Sequence, residues 1–296
     1  RDLHLSIRRQ RQMCIRDRDG IIDWEAHERL VRWHVESGTA GLVPMGTTGE
    51  SATLNTQEHL EVISRTIELA DGRISVVAGT GSNSTEETLH QTKEAESLGA
   101  DACLLVTPYY NRPTQEGLYA HFKTVAETTS VPLILYNVPG RTGCDLLPET
   151  IGRLSSIEGI VGIKEASGKI ERVSEIRSVS ASDFFILSGE DALTLEMMNN
   201  GAVGTISVTA NVLPKAMAEF CHSFLSGNIE RATEIDEVLQ SVHEILFIES
   251  NPTPAKWALH QMGIIQEGIR MPLLPLSSRY RSELKKRIDE AMEALK

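Results

Sequence analysis

The chain has 296 residues, enough to bury one large core or two smaller ones. Apolar residues make up 41% and charged residues 24%, with a formal charge of −12, which argues against nucleic acid or an anionic membrane surface as a partner. No apolar run nears the roughly 18 residues that span a bilayer, the four cysteines stand far apart with no CxxC, and the nine histidines show no HxH, HxxxH or HExxH spacing. Neither a disulfide framework nor a metal site is signalled, and the cysteines read as buried thiols of a reducing compartment.

Residues 1–18 differ from the rest. They hold six arginines and two acids, with no apolar core and no cleavage site of the kind a secretory signal carries. We expect this atypical segment to be an artefact that overwrites the true N-terminus, and it is set aside from the fold.

From Asp23 a rhythm begins. Asp23 can cap a helix that ends at Gly38. A strand over 41–45 is closed by Gly46-Thr47-Thr48-Gly49-Glu50, and a helix over 56–70 follows. A strand over 74–78 ends in Gly79-Thr80-Gly81, and Ser84 can cap the next helix, to residue 98. Then come a strand over 102–106, a helix over 115–128, a strand over 132–137 and a short helix near 148–154. The short apolar run 160–163, ended by Lys164, precedes a helix at 171–179. A strand over 184–188, a helix over 192–199 and a last strand over 203–208 complete the series. These strands are continuous apolar runs, the mark of strands buried on both faces of a parallel sheet. Right-handed crossovers and repeats of about 25–30 residues predict a (β/α)8 TIM barrel over 19–212. The first strand is expected to be missing, because arginines such as Arg8, Arg9 and Arg11 cannot fill an apolar barrel layer. Helices over 214–225, 229–247, 254–262 and 277–295 make a C-terminal helical domain, 213–296.

In a parallel barrel, function gathers on the loops that follow the strands, and there the unusual residues fall. Lys164 ends a short apolar run. A lysine in that place is costly unless used: burial disfavours an ammonium and favours the free amine, a nucleophile toward carbonyl carbon. The bland alternative is a side chain snorkelling at a sheet edge. The 46–50 turn offers N–H groups, two hydroxyls and close-approach glycines to a carboxylate, or is simply a tight turn. Tyr136 can move protons beside a Schiff base, or be a core tyrosine with its hydroxyl satisfied. Arg141 can fork a carboxylate, or pair on the surface. Tyr109 and Tyr110 read as aromatic packing. Together these residues predict Schiff-base aldolase chemistry. Lys164 adds to a ketone, the iminium acidifies the adjacent carbon, a tyrosine carries the proton, and the enamine attacks a second carbonyl. No metal or organic cofactor is required.

Gly46-Thr47-Thr48-Gly49-Glu50-Ser51-Ala52-Thr53-Leu54, Tyr136-Asn137-Val138-Pro139-Gly140-Arg141-Thr142-Gly143, Gly162-Ile163-Lys164-Glu165-Ala166 and the run from Val106 to Tyr119 resemble the dihydrodipicolinate synthase family, within the pyruvate-dependent aldolases. The similarity covers about residue 20 to the C-terminus. It implies that Lys164 forms the Schiff base with pyruvate, that Thr47 and Thr48 hold its carboxylate and relay protons, and that Tyr136 is the general acid/base. It further implies that Tyr110 completes the relay from a neighbouring subunit and that Arg141 receives the carboxylate of L-aspartate 4-semialdehyde. Gly189 and Ile206 are implied to line the pyruvate pocket. A cytoplasmic homotetramer built from tight dimers and a role in lysine biosynthesis are implied too. So is an allosteric lysine site at Ser51, Ala52, His59, Asn83, Glu87 and Tyr109, with Thr56 where some members carry histidine.

The nearest rival is a sister aldolase acting on N-acetylneuraminate or 2-keto-3-deoxy sugar acids. Such members commonly read GSTGE and lack the arginine at position 141. A noncatalytic barrel subunit is the rival from another class, and intact Lys164, Tyr136 and Thr47 argue against it.

Overall fold

The computed structural model describes residues 9–13 and 20–296. The expectations placed on residues 1–8 and 14–18, Cys14 included, lie outside the described residues. In chain order the elements are β1 (Arg9–Met13), α1 (Trp24–Glu36), β2 (Gly41–Pro44), α2 (Thr56–Ala70), β3 (Ser75–Gly79) and α3 (Thr85–Leu98). Next come β4 (Ala102–Val106), α4 (Gln115–Ala126), β5 (Leu133–Asn137), α5 (Pro139–Thr142), α6 (Pro148–Leu154), β6 (Ile160–Glu165) and α7 (Glu171–Val179). The last are β7 (Phe185–Ser188), α8 (Thr194–Asn199), β8 (Thr205–Ser207), α9 (Pro214–Leu225), α10 (Ile229–Ile245), α11 (Thr253–Gln261) and α12 (Ser278–Ala294).

Local chemistry sets the helix starts. Asp23 accepts from Ala26 N at 2.9 Å. Asn55 and Glu58 form a reciprocal capping box, each side chain taking the other's backbone N–H. Ser84 and Thr114 cap α3 and α4 in the same way, accepting from the N–H three residues on. Gly99 ends α3 in the left-handed region, φ 91°.

The chain forms two compact units. In the first, Ser75–Ile206, strands β3 to β8 pair in chain order and in parallel. β3, β5 and β7 are buried throughout, as expected of strands covered on both faces. Val106 stands opposite Tyr136, Tyr136 opposite Lys164, and Lys164 opposite Leu187. One row across four strand ends therefore carries both expected catalytic side chains.

In the second unit, Arg9–Ile74 with Ser207–Lys296, Ala26, Leu30 and Val31 of α1 and Leu42 of β2 share a buried apolar cluster with Leu259 and Ile265. The C-terminal helical region thus packs on the N-terminal elements of its own unit.

One expectation is corrected. A strand does precede Asp23: Arg9–Met13 runs parallel to β2, with Gln12 opposite Val43 and Met13 opposite Pro44. Strand pairing is made by backbone N–H and C=O groups, so an arginine-rich sequence does not forbid it.

Candidate active site

Lys164 is the penultimate residue of β6 and is 4% exposed; Tyr136, penultimate on β5, is 7% exposed. Their register pairing brings the ammonium nitrogen to 4.1 Å from the centroid of the phenol ring. Gly189, just past β7, presses on the lysine stem. A Cβ there would meet Lys164 Cε at 2.9 Å and Ala166 Cβ at 2.6 Å, so only glycine fits without displacing the lysine. Ile206 on β8 is buried. Glu190 follows Gly189. Burial first, then the Asp191 charge, raise its pKa above the usual carboxylate range, and Lys164 and Arg141 partly offset them.

The next row lies on the opposite side of the sheet, since strand side chains alternate. Asn137 stands opposite Glu165. Asn137 Nδ2 donates to Asp145 Oδ1 at 2.8 Å and to Glu165 Oε2 at 3.1 Å. Arg172 of α7 grips both Asp145 oxygens, at 3.1 and 3.0 Å. Burial raises the Glu165 pKa, opposed by Ser167, Asn137 and Arg172. Burial works the same way on Asp145, but hydrogen bonds from Arg172 and Asn137 outweigh it and hold that carboxyl below its usual range. Sequence reading missed this network; its signal was a polar pair, Asn137 and Glu165, each directly following an expected catalytic residue.

Arg141 sits exposed on α5, the short helix after β5. Tyr110 is 90% exposed and adopts φ 74°, with its N–H donating to Thr142 O at 3.2 Å. Tyr109 is half-exposed, Asn111 donates to Asn83 O at 2.8 Å, and Glu87 accepts from Ser82 at 2.6 Å. Tyr109, Asn83 and Glu87 thus share the first unit with the lysine and tyrosine.

Thr47, Thr48, Ser51, Ala52 and His59 belong to the second unit. Thr47–Gly49 is a 3-10 turn, with Gly49 N donating to Gly46 O and Glu50 N to Thr47 O. Two of the expected anion-binding N–H groups are therefore used within the turn. The left-handed positions flanking it are Met45, φ 64°, and Glu50, φ 54°, rather than the two glycines. Side chains from far along the chain hold this geometry. Asn251 Nδ2 donates to Thr48 Oγ1 at 2.9 Å. The buried Glu50 carboxylate pairs with the Lys256 ammonium of α11 and accepts from Arg270 N at 3.0 Å. The Arg270 guanidinium binds Glu58 at 2.5 and 2.8 Å. Asn251 and Lys256 were not foreseen, and no local pattern announces contacts across more than 200 residues. His59 is buried, Ser51 partly buried and Ala52 exposed. Thr56 opens α2 at the surface.

Among the described residues, no group of three or more His, Cys, Asp or Glu side chains could hold a metal ion. No helix there is long and apolar enough to cross a membrane. A buried strand-end lysine against a phenol suits carbonyl addition followed by proton transfer.

Comparison with known proteins gives one consistent result. A model of the Dihydrodipicolinate synthetase family matches residues 14–291. A 4-hydroxy-tetrahydrodipicolinate synthase of Methylococcus capsulatus is 54% identical over 273 residues, covering 92% of this chain and 94% of the relative. One of Pseudomonas aeruginosa is 53% identical over 269 residues, covering 91% and 92%. The crystal structure of a chloride-inhibited dihydrodipicolinate synthase of Acinetobacter baumannii complexed with pyruvate superposes with a TM-score of 0.94 at 48% identity, covering 97% of this chain and 99% of that one.

Proposed function

The chain belongs to the dihydrodipicolinate synthetase family, and from that premise we propose that it condenses pyruvate with L-aspartate 4-semialdehyde to 4-hydroxy-tetrahydrodipicolinate, a lyase reaction of lysine biosynthesis. One observation carries the chemistry: the buried Lys164 Nζ lies 4.1 Å from the ring centroid of Tyr136 on adjoining strands.

Lys164 Nζ attacks C2 of pyruvate, and loss of water leaves an iminium. Tyr136 removes a C3 proton, the resulting enamine attacks the aldehyde carbon, whose oxygen takes up a proton, and the semialdehyde's amino group then displaces the Lys164 nitrogen from C2, closing the ring and freeing the lysine. Thr47 and Thr48 hold the pyruvate carboxylate and pass protons, and Gly189 and Ile206 shape its pocket. Tyr110, turned outward in one protomer, serves the site of a second copy, and Arg141 takes the aldehyde's carboxylate. No cofactor enters these steps.

We read the architecture as a (β/α)8 barrel over 19–212 with a C-terminal helical domain over 213–296. The parallel pairing of β3 to β8 in chain order within the first unit and the match to the solved relative support this. A cytoplasmic homotetramer of tight dimers, with lysine bound at Ser51, Ala52, His59, Asn83, Glu87 and Tyr109, completes the proposal.

The test is borohydride reduction in the presence of pyruvate, then peptide mass measurement, alongside turnover with L-aspartate 4-semialdehyde and with sugar-derived aldehydes. A pyruvate-dependent adduct on Lys164 and turnover of the semialdehyde are expected. Condensation with the sugar aldehydes alone would assign the chain to the sister aldolases, and absence of any adduct would remove the Schiff base.

A further inference from the structure

We propose that Asn137, held between Glu165 and Asp145, is a positioning residue that sets the seating of Lys164 and Tyr136 from the opposite side of the sheet. This rests on the Schiff-base reading above.

The geometry is one of paired rows. Tyr136 faces Lys164 across β5 and β6, and the residues directly following them, Asn137 and Glu165, face each other. Asn137 is fully buried and Glu165 is 1% exposed. The Asn137 amide has no freedom left. Both its N–H groups are given to carboxylates, Asp145 and Glu165, and its Oδ1 accepts from Leu146 N at 3.0 Å. Turning the amide over would set its oxygen against two carboxylates. Glu165 is fixed in turn. Its Oε1 accepts from Ser167 N at 2.6 Å, its backbone O from Gly189 N at 2.8 Å, and Ala166 N donates to Asn137 O at 2.9 Å. The strand ends that carry Tyr136 and Lys164, and the glycine that packs on the lysine stem, are thereby tied to one amide.

The charged surroundings show why an amide stands here. Asp145 faces Glu165's partner Asn137, Arg172 reaches in from α7, Glu190 follows β7, Lys169 lies near Asp145, and Lys164 adjoins Glu165 in the chain. An uncharged double donor joins two carboxylates, of which Arg172 hydrogen-bonds Asp145. An apolar side chain there would remove one donor from each carboxylate.

The experiment uses the full chain, and the pyruvate adduct of the unmodified protein is measured first. Its absence there would refute the Schiff-base reading rather than this one. Asn137→Asp keeps the side-chain size and the acceptor for Leu146, removes both donated bonds and sets a third carboxylate beside Glu165. It is expected to fold and to form the adduct. Its kcat should fall about 10- to 100-fold, as when a supporting shell is lost, with KM for pyruvate within about threefold. The acid limb of its kcat–pH profile should move up by about one unit. The swapped pair Asn137→Asp/Glu165→Gln restores one donor, one acceptor and the original charge, and should recover most of kcat. Unchanged kcat and pH profile in Asn137→Asp would overturn the proposal, as would a folded swapped pair with no recovery. If Asn137→Asp alone does not fold, the swapped pair decides in the same way. Failure of both to fold would make the residue structural and also overturn it.

Discussion

Lys164 Nζ stands 4.1 Å from the centroid of the Tyr136 ring, and both residues are more than nine-tenths buried. An ammonium over a ring face is attracted by the ring quadrupole. In the proposed reaction this Nζ is the nitrogen that adds to the carbonyl carbon. Lys164→Ala is therefore expected to abolish the borohydride-trapped pyruvate adduct while the protein still unfolds cooperatively on heating. An adduct of the same mass surviving in the variant would place the Schiff base elsewhere.

Tyr136→Phe keeps the ring and removes only the hydroxyl proposed to carry the proton. Adduct formation should persist while turnover slows by about two to four orders of magnitude, the usual worth of a positioned acid/base. Steady-state kinetics beside trapping separates the two steps, and unimpaired turnover would take that role from Tyr136.

Gly189→Ala tests the contact on the lysine stem. The added methyl would come within 2.9 Å of Lys164 Cε and 2.6 Å of Ala166 Cβ, so the lysine must shift. We expect slower adduct formation together with a loss of about 1–3 kcal/mol, the usual cost of overpacking. Trapping rate and urea midpoint measure the two, and a normal trapping rate would show that the stem has room.

What could be read from the residues alone follows the range of the interactions. The caps read at Asp23 and Ser84 depend on donors and acceptors three residues apart, as do those at Asn55 and Thr114, which were not read. Apolar runs such as Ile160–Ile163 announce strands covered on both sides, and the observed strand runs on through Lys164 to Glu165. The placing of Lys164 and Tyr136 at strand ends came with them. Asn251 on Thr48 and Lys256 on Glu50 were not legible, because each joins residues more than 200 positions apart. Asn137 was visible only as part of a motif. Its double donation depends on Asp145 and Glu165 arriving from two different connections. β1 was misjudged because its side chains argue against a barrel layer, whereas its pairing is made by the backbone.

The Glu50–Lys256 pair gives a stability prediction. Both side chains are buried, 3% and 6% exposed, and removing one partner of such a pair strands the other's charge. Lys256→Ala should cost about 3–5 kcal/mol, seen as a lower urea midpoint. Because Glu50 ends the turn whose Thr47 and Thr48 are proposed to hold the pyruvate carboxylate, KM for pyruvate should rise as well. A variant as stable as the parent would show that Arg270 N suffices to hold the carboxylate.

His27 supplies the pH dependence. It is fully buried on α1, with Nε2 3.1 Å from Thr66 Oγ1, and burial, helped by the charge of Arg65, lowers its pKa from 6.5 to about 4. The folded pKa lies below the unfolded one. The unfolded chain therefore takes up a proton as pH falls through 6.5, while the folded chain stays neutral down to about 4. This stabilising contribution is complete above pH 6.5 and is lost on acidification across that window, amounting to about 3 kcal/mol. Glu165 and Glu190, whose pKa values are raised on folding, act in the opposite sense, so the measurement must be a difference. Urea midpoints of the parent and His27→Gln, compared from pH 7 to 4, should converge as pH falls. Parallel curves would mean that His27 takes up its proton without unfolding.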